Sequence, residues 1–326
     1  MIEFRFAVGD LATTSFAYSP LQEAVFSLRC LRDPARYPHH RPWLRRIRPR
    51  LEGLDRELLT AVVAPWLWVP DFLTPRPERA RPSFAEQLEQ VRATPAGIVV
   101  ADFHAAYRAH PLPPAVARGL AEPSAFLTRL TDALDAYWRV CLAADWWPRV
   151  QSILEADLAH RGRVLAEQGA GVLFAGLDDR LSWTGSHLVL STRDFAVPAP
   201  WTDVAIEGRG MVLLPTMFAR GAQPLIDPSR PPVLMYPARG RATLSEEPPP
   251  VTGDALVRLL GRPRARLLLL LAEPASTTEL AHRLGVTASA VSQHLTILYD
   301  AGLLHRTRSG RIVRYARTRL GDDLCR

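Results

Sequence analysis

The spacing of hydrophobic positions changes twice along the first 245 residues. Ile2, Phe4, Phe6 and Val8 alternate with Glu3, Arg5 and Ala7, a period of two that predicts a first strand. Ser19-Pro20-Leu21-Gln22 then offers a capping serine, a proline at the first helical position and a glutamine placed to close a capping box, predicting a helix to about Arg32. Nine prolines between positions 33 and 82 leave room only for short helices, around 43–50 and 55–64. Ser83 opens another helix through Val91. Across 123–177 the apolar residues recur at helical spacing, with Pro148 expected to interrupt them. Between 180 and 244 the pattern becomes short apolar runs split by Gly and Pro, which read as an antiparallel set of strands.

Ser245-Glu246-Glu247-Pro248-Pro249-Pro250 ends this region, since consecutive prolines form a stiff, extended spacer. The expected organisation is α+β and multidomain. An N-terminal region, 1–245, is mainly helical to about 177 and strand-rich over 180–244. A Pro-rich linker spans 246–251, and a small C-terminal domain spans 252–326.

The C-terminal pattern is more specific. Helices are predicted over 253–260 and 264–273, separated by Gly261 and Pro263. Ser276-Thr277-Thr278-Glu279 is a capping box opening a short helix that Gly285 ends. Thr287 caps a second helix, 288–301, stopped by Gly302. Two short helices joined by a tight glycine turn read as a helix-turn-helix. At 100° per residue, Val291, Leu295 and Leu298 share the core side of the second helix. Ser289, Ser292, Gln293 and Thr296 share the opposite side, where short or amide-bearing groups can exchange hydrogen bonds with base edges. Thr287 sits at the helix N-terminus, and His294 falls near the core boundary, as suited to packing as to a phosphate contact. A hairpin with a short Gly-containing turn follows. It carries Arg306, Arg308, Arg311 and Arg314, and residues 303–319 hold six Arg and no acid. A helix-turn-helix followed by a basic hairpin is a winged helix.

Charge distribution agrees with this reading. All 40 basic residues are Arg, a composition shaped by coding bias as much as by contacts. Residues 251–326 nevertheless carry a net charge of +6, against +1 for the preceding 250. A charge gathered into a small terminal unit marks a polyanion-binding module. The longest apolar stretches, such as 267–272, are far too short to span a membrane. The N-terminus lacks the basic-then-apolar form of a secretory signal, and Cys30, Cys141 and Cys325 form no close pair, so a reducing cytoplasm is expected.

Leu280-Ala281-His282-Arg283-Leu284-Gly285-Val286, Ala290-Val291-Ser292-Gln293-His294-Leu295, Ala301-Gly302-Leu303-Leu304 and Ser309-Gly310-Arg311 with Tyr315 resemble, in that order, the ArsR-type winged helix-turn-helix regulators. The resemblance covers about 252–320. Residues 1–245 resemble, more loosely, the uncharacterised domain preceding this winged helix in actinobacterial ArsR-like proteins, through Ile2-Glu3-Phe4, Ser19-Pro20-Leu21, Tyr137-Trp138, Trp146/Trp147 and Tyr236-Pro237. The resemblance implies a transcriptional repressor that binds an inverted-repeat duplex as a homodimer. Family metal sensors place Cys pairs on the first helix of the motif, or His and acids on a long final helix. Neither set is present here, so no metal site and no cofactor are expected. The short tail also removes most of the family's dimerisation helix, which moves any dimer contact to 1–245.

All eight Trp lie at or before 201 and read either as core and interface packing or as an aromatic-lined pocket for a small-molecule effector. Gly169-Ala170-Gly171 follows a helix rather than a strand, GxSxG and HExxH are absent, Asp178-Asp179 reads as a turn, and His39-His40 as a solvated loop. No catalytic residue is assigned and no enzyme is expected. The alternative is a catalytic N-terminal domain positioned by an attached winged helix.

Overall fold

The computed structural model describes residues 1–7, 9–108, 110–193, 202–241, 253–309 and 312–325. The expected linker, Trp201, Val8 and Arg311 lie outside the described residues. The chain divides into two compact units, Met1–Glu246 and Glu247–Arg326.

In the N-terminal unit, helices α1 (Asp10–Thr13), α2 (Pro20–Arg32), α3 (Arg41–Ile47), α4 (Arg56–Ala61), α5 (Phe84–Arg92), α6 (Ala96–Tyr107), α7 (Pro114–Gly119), α8 (Pro123–Tyr137) and α9 (Trp147–Ala175) build a helical layer. α2 is its centre, buried from Pro20 to Cys30. Ser19 caps it by accepting from Gln22 N–H, but its hydroxyl donates to Gln87 Oε1 rather than sharing a capping box with the Gln22 side chain. Pro148 does not interrupt the helical run. It occupies the first turn of α9, where a missing N–H costs nothing, and the break falls just before it, beyond a π-helical stretch at Trp138–Leu142. Gly169 kinks α9 with φ +82°, so Gly169-Ala170-Gly171 follows one helical stretch and opens the next.

The strands form two mixed four-stranded sheets. One has the order β3 (Leu181–Trp183), β4 (His187–Leu190), β1 (Ile2–Arg5), β5 (Asp203–Ala205). The other has the order β2 (Ser15–Phe16), β6 (Val212–Thr216), β8 (Val233–Pro237), β7 (Gln223–Leu225). The antiparallel expectation holds only in part, because β1 pairs parallel to β5 and β6 pairs parallel to both β2 and β8. The reason is visible in Val212-Leu213-Leu214 and Val233-Leu234-Met235-Tyr236, continuous apolar runs buried on both faces, as parallel strands require.

Most of the described Trp side chains pack among other rings, while Trp68 is exposed. Trp43 and Trp146 flank Phe218, Trp138 stacks on Phe84 at 4.4 Å, and Trp183 stacks on Phe174. His40 is buried rather than solvated. It stacks on Phe218 at 4.4 Å, with Nε2 3.2 Å from Met217 O. Asp178 ties a turn, accepting from Arg180 Nε and from Ala222 N–H.

The C-terminal unit has its own core around Leu256, Leu268, Leu280, Val291 and Leu295. Its elements are α10 (Gly253–Leu260), α11 (Arg262–Leu270), β9 (Ala275–Ser276), α12 (Thr277–Leu284), α13 (Ala288–Asp300), β10 (Leu304–Ser309), β11 (Ile312–Arg317) and α14 (Arg319–Asp323). Pro263 lies in the first turn of α11, which therefore starts two residues earlier than its pattern suggests. β10, β11 and β9 form one antiparallel sheet.

Candidate nucleic-acid interface

Local hydrogen bonding fixes the two helices of the motif. Ser276 Oγ accepts from Glu279 N–H, and Glu279 Oε2 accepts from Ser276 N–H at 2.7 Å, a closed capping box at the start of α12. That backbone bond also holds the Glu279 carboxyl below its ordinary pKa. At the other end Gly285 adopts φ +67°. Val286 N–H reaches Ala281 O and Gly285 N–H reaches His282 O, a Schellman closure. Thr287 Oγ1 then accepts from Ala290 N–H and starts α13. The interhelix turn is thus set by one left-handed glycine and the Thr287 side-chain cap.

α13 has three faces. Val291, Leu295 and Leu298 are buried in the core. Ser289, Ser292, Gln293 and Thr296 are exposed together on the opposite side, with Thr287 exposed at the helix start. The Thr296 hydroxyl donates back to Ser292 O at 3.0 Å, leaving its oxygen lone pairs and methyl group to face outward. His294 stands apart from this polar face. It is half-buried on the flank that also carries Ala290, and its Nδ1 has no partner among the described residues.

The hairpin pairs Arg306 with Tyr315, Thr307 with Arg314 and Arg308 with Val313. Side chains alternate across the sheet, so Arg306 and Arg308 share one face and Arg314 occupies the other. All three are exposed. Arg306 lies over the Tyr299 ring, 4.9 Å from its centroid, a cation–π contact joining hairpin to helix. Arg314 is 4.0 Å from Glu279, a loose surface pair. Arg317 points inward instead. Its Nε donates to Leu268 O at 2.7 Å and an Nη to Leu269 O at 2.6 Å, closing the end of α11. One of the six Arg counted in the sequence therefore serves the fold. Its pairing opposite buried Leu304 is the pattern that marks it.

A polar helix face thus lies exposed on a unit whose hairpin presents arginines. Residues 263–307 match the family model of the helix-turn-helix domain. The match runs from the first turn of α11 into β10 and includes all of α12 and α13. The C-terminal unit therefore carries a helix-turn-helix of the DNA-binding kind. No curated protein and no solved structure matches the chain. Among the described residues, no three His, Cys, Asp or Glu side chains gather where they could hold a metal ion, and no helix is long and apolar enough to cross a membrane.

Proposed function

We propose that this protein is a sequence-specific transcriptional regulator of the ArsR-like class, a repressor acting in the cytoplasm. Its winged helix binds duplex DNA. The observation that carries the reading is α13 itself: one face locked in the core, the opposite face exposing Ser289, Ser292, Gln293 and Thr296. In this role α13 enters the major groove, where the Gln293 amide can bond bidentately to adenine and the serines can donate or accept. Thr287 and the α13 N-terminus approach a phosphate. Arg306, Arg308, Arg311 and Arg314 neutralise backbone phosphates or enter the minor groove. His294 supports the helix from its flank. The regulator senses no metal through the usual family positions, and its N-terminal unit dimerises and takes an effector rather than catalysing a reaction.

Enrichment of bound duplexes from a random pool tests this. The expected product is an inverted repeat whose half-site centres lie about 10 base pairs, or a multiple, apart. A pool that stays random after repeated rounds would overturn the reading.

A further inference from the structure

The C-terminal unit contains a groove of about 580 Å³ between α11 and α13, open to solvent. That volume lies within the ~300–1,000 Å³ typical of small-molecule pockets. Its floor is apolar, formed by Val257 of α10, Leu267 of α11 and Val291 of α13. Leu269 and Val286 also line it and are 43% and 50% exposed, so large apolar surface is left facing water.

The charged groups lining the groove, among the described residues, are two arginines. Arg262 and Arg266, one turn apart on α11, stand along one wall. Neither makes an ion pair among the described residues. His294 also lines the groove, beside Ala290 on α13. Among the described residues, no carboxylate lines the groove. An apolar trough with two guanidinium groups on its wall matches a ligand with an apolar body and one anionic head. A nucleic-acid backbone has the charge but not the apolar body.

We propose that this groove binds a small amphipathic carboxylate, its hydrocarbon part on Val257, Leu267 and Val291 and its head on Arg262 and Arg266. Ala290, His294 and Val291 belong to α13, so an occupied groove contacts the helix that carries the exposed polar face. Control of DNA affinity by the ligand rests on the DNA-binding reading above; the binding site itself does not.

Calorimetric titration of the full chain with decanoate, and with decanol as the uncharged counterpart, tests the site. Wild type should bind decanoate at least tenfold tighter than decanol, the scale of a charge-assisted hydrogen bond. Arg262→Ala combined with Arg266→Ala changes only exposed side chains, and should remove that tenfold preference while leaving decanol binding unchanged. Ala290→Trp should fill the groove and abolish both, with an unchanged melting profile as its folding control. Three results would overturn the proposal. One is no decanoate binding to wild type. Another is binding that all the variants retain, which places the site elsewhere. The third is a self-associated chain that takes no decanoate and that Ala290→Trp dissociates, which makes the groove a contact between copies. In a parallel duplex titration, decanoate should shift wild-type DNA affinity at least threefold and leave Ala290→Trp unaffected. Absence of DNA binding in every condition would refute the DNA-binding reading, while calorimetry would still decide the site.

Discussion

Gln293 and Arg317 sit on the same small unit in opposite settings, one exposed and one turned inward. Gln293 is exposed on α13 and carries the amide best suited to a base edge. Gln293→Ala should cost ~1–3 kcal/mol at the preferred sequence and flatten preference among sites, read by competition binding on single-base variants. Arg317 bonds two α11 carbonyls, so Arg317→Ala should lower the stability of the C-terminal unit by ~1–3 kcal/mol in denaturant unfolding. Arg314→Ala, which breaks only a loose surface pair, should change stability by less than ~0.5 kcal/mol and weaken binding to all sequences alike. The sequence shows six arginines over 303–319 but not which of them turns inward, because strand alternation assigns a face only once the pairing with Leu304 is known.

In the N-terminal unit, Glu23 and His40 grip one peptide segment from two sides. Glu23 accepts from Met217 N–H and His40 Nε2 meets Met217 O. Burial pushes the Glu23 carboxyl up to about 8, more than its hydrogen bonds with Thr216 and Met217 and nearby Arg29 offset. Burial lowers His40 to about 4. A raised carboxyl contributes stability that is complete below its unfolded pKa, near 4.5, and lost as pH rises through about 8. The depressed histidine contributes stability that is complete above 6.5 and lost as pH falls toward 4. Below 6.5 the two trends oppose each other; above it only Glu23 acts. Glu23→Gln should therefore reduce the loss of stability between pH 6.5 and 8.5, measured as the difference from wild type in thermal midpoint. A variant parallel to wild type over that range would show that Glu23 does not carry this dependence. Nothing in the local sequence marked either residue as buried, since both contacts come from a segment near 217.

Among the elements, those closed by local chemistry were legible and those decided by distant pairing were not. Ser83, Ser276, Thr287 and Gly285 each announce a helix end through groups within five residues, and each appears where its chemistry requires. The parallel pairing of β6 with β8 depends on residues about twenty positions apart and on burial of both faces, which short apolar runs do not disclose. The glycine turn offers a direct test. Gly285 has room for a methyl group but a left-handed backbone, so Gly285→Ala should cost ~1–2 kcal/mol through conformation alone. A cost close to zero would mean that the α12–α13 turn relaxes to another geometry.

For the whole molecule, the proposed function raises the question of how one helix acquires specificity. A single α13 spans only a few base pairs, whereas a two-fold dimer reads two half-sites. The N-terminal unit holds two large apolar clusters of its own, and the C-terminal core is separate from both. Sedimentation should show 1–245 as a dimer and 252–326 as a monomer at micromolar concentration. The reverse outcome would place the pairing surface on the C-terminal unit. The most direct test of the central claim is the affinity of the full chain for duplex fragments of its own genome across a salt series. Particular fragments should bind tightly, with log K falling against log salt at about 0.9 per phosphate contact and a total of ~6–10 contacts for a dimer. Binding that is absent from every fragment, or indifferent to salt, would contradict that claim.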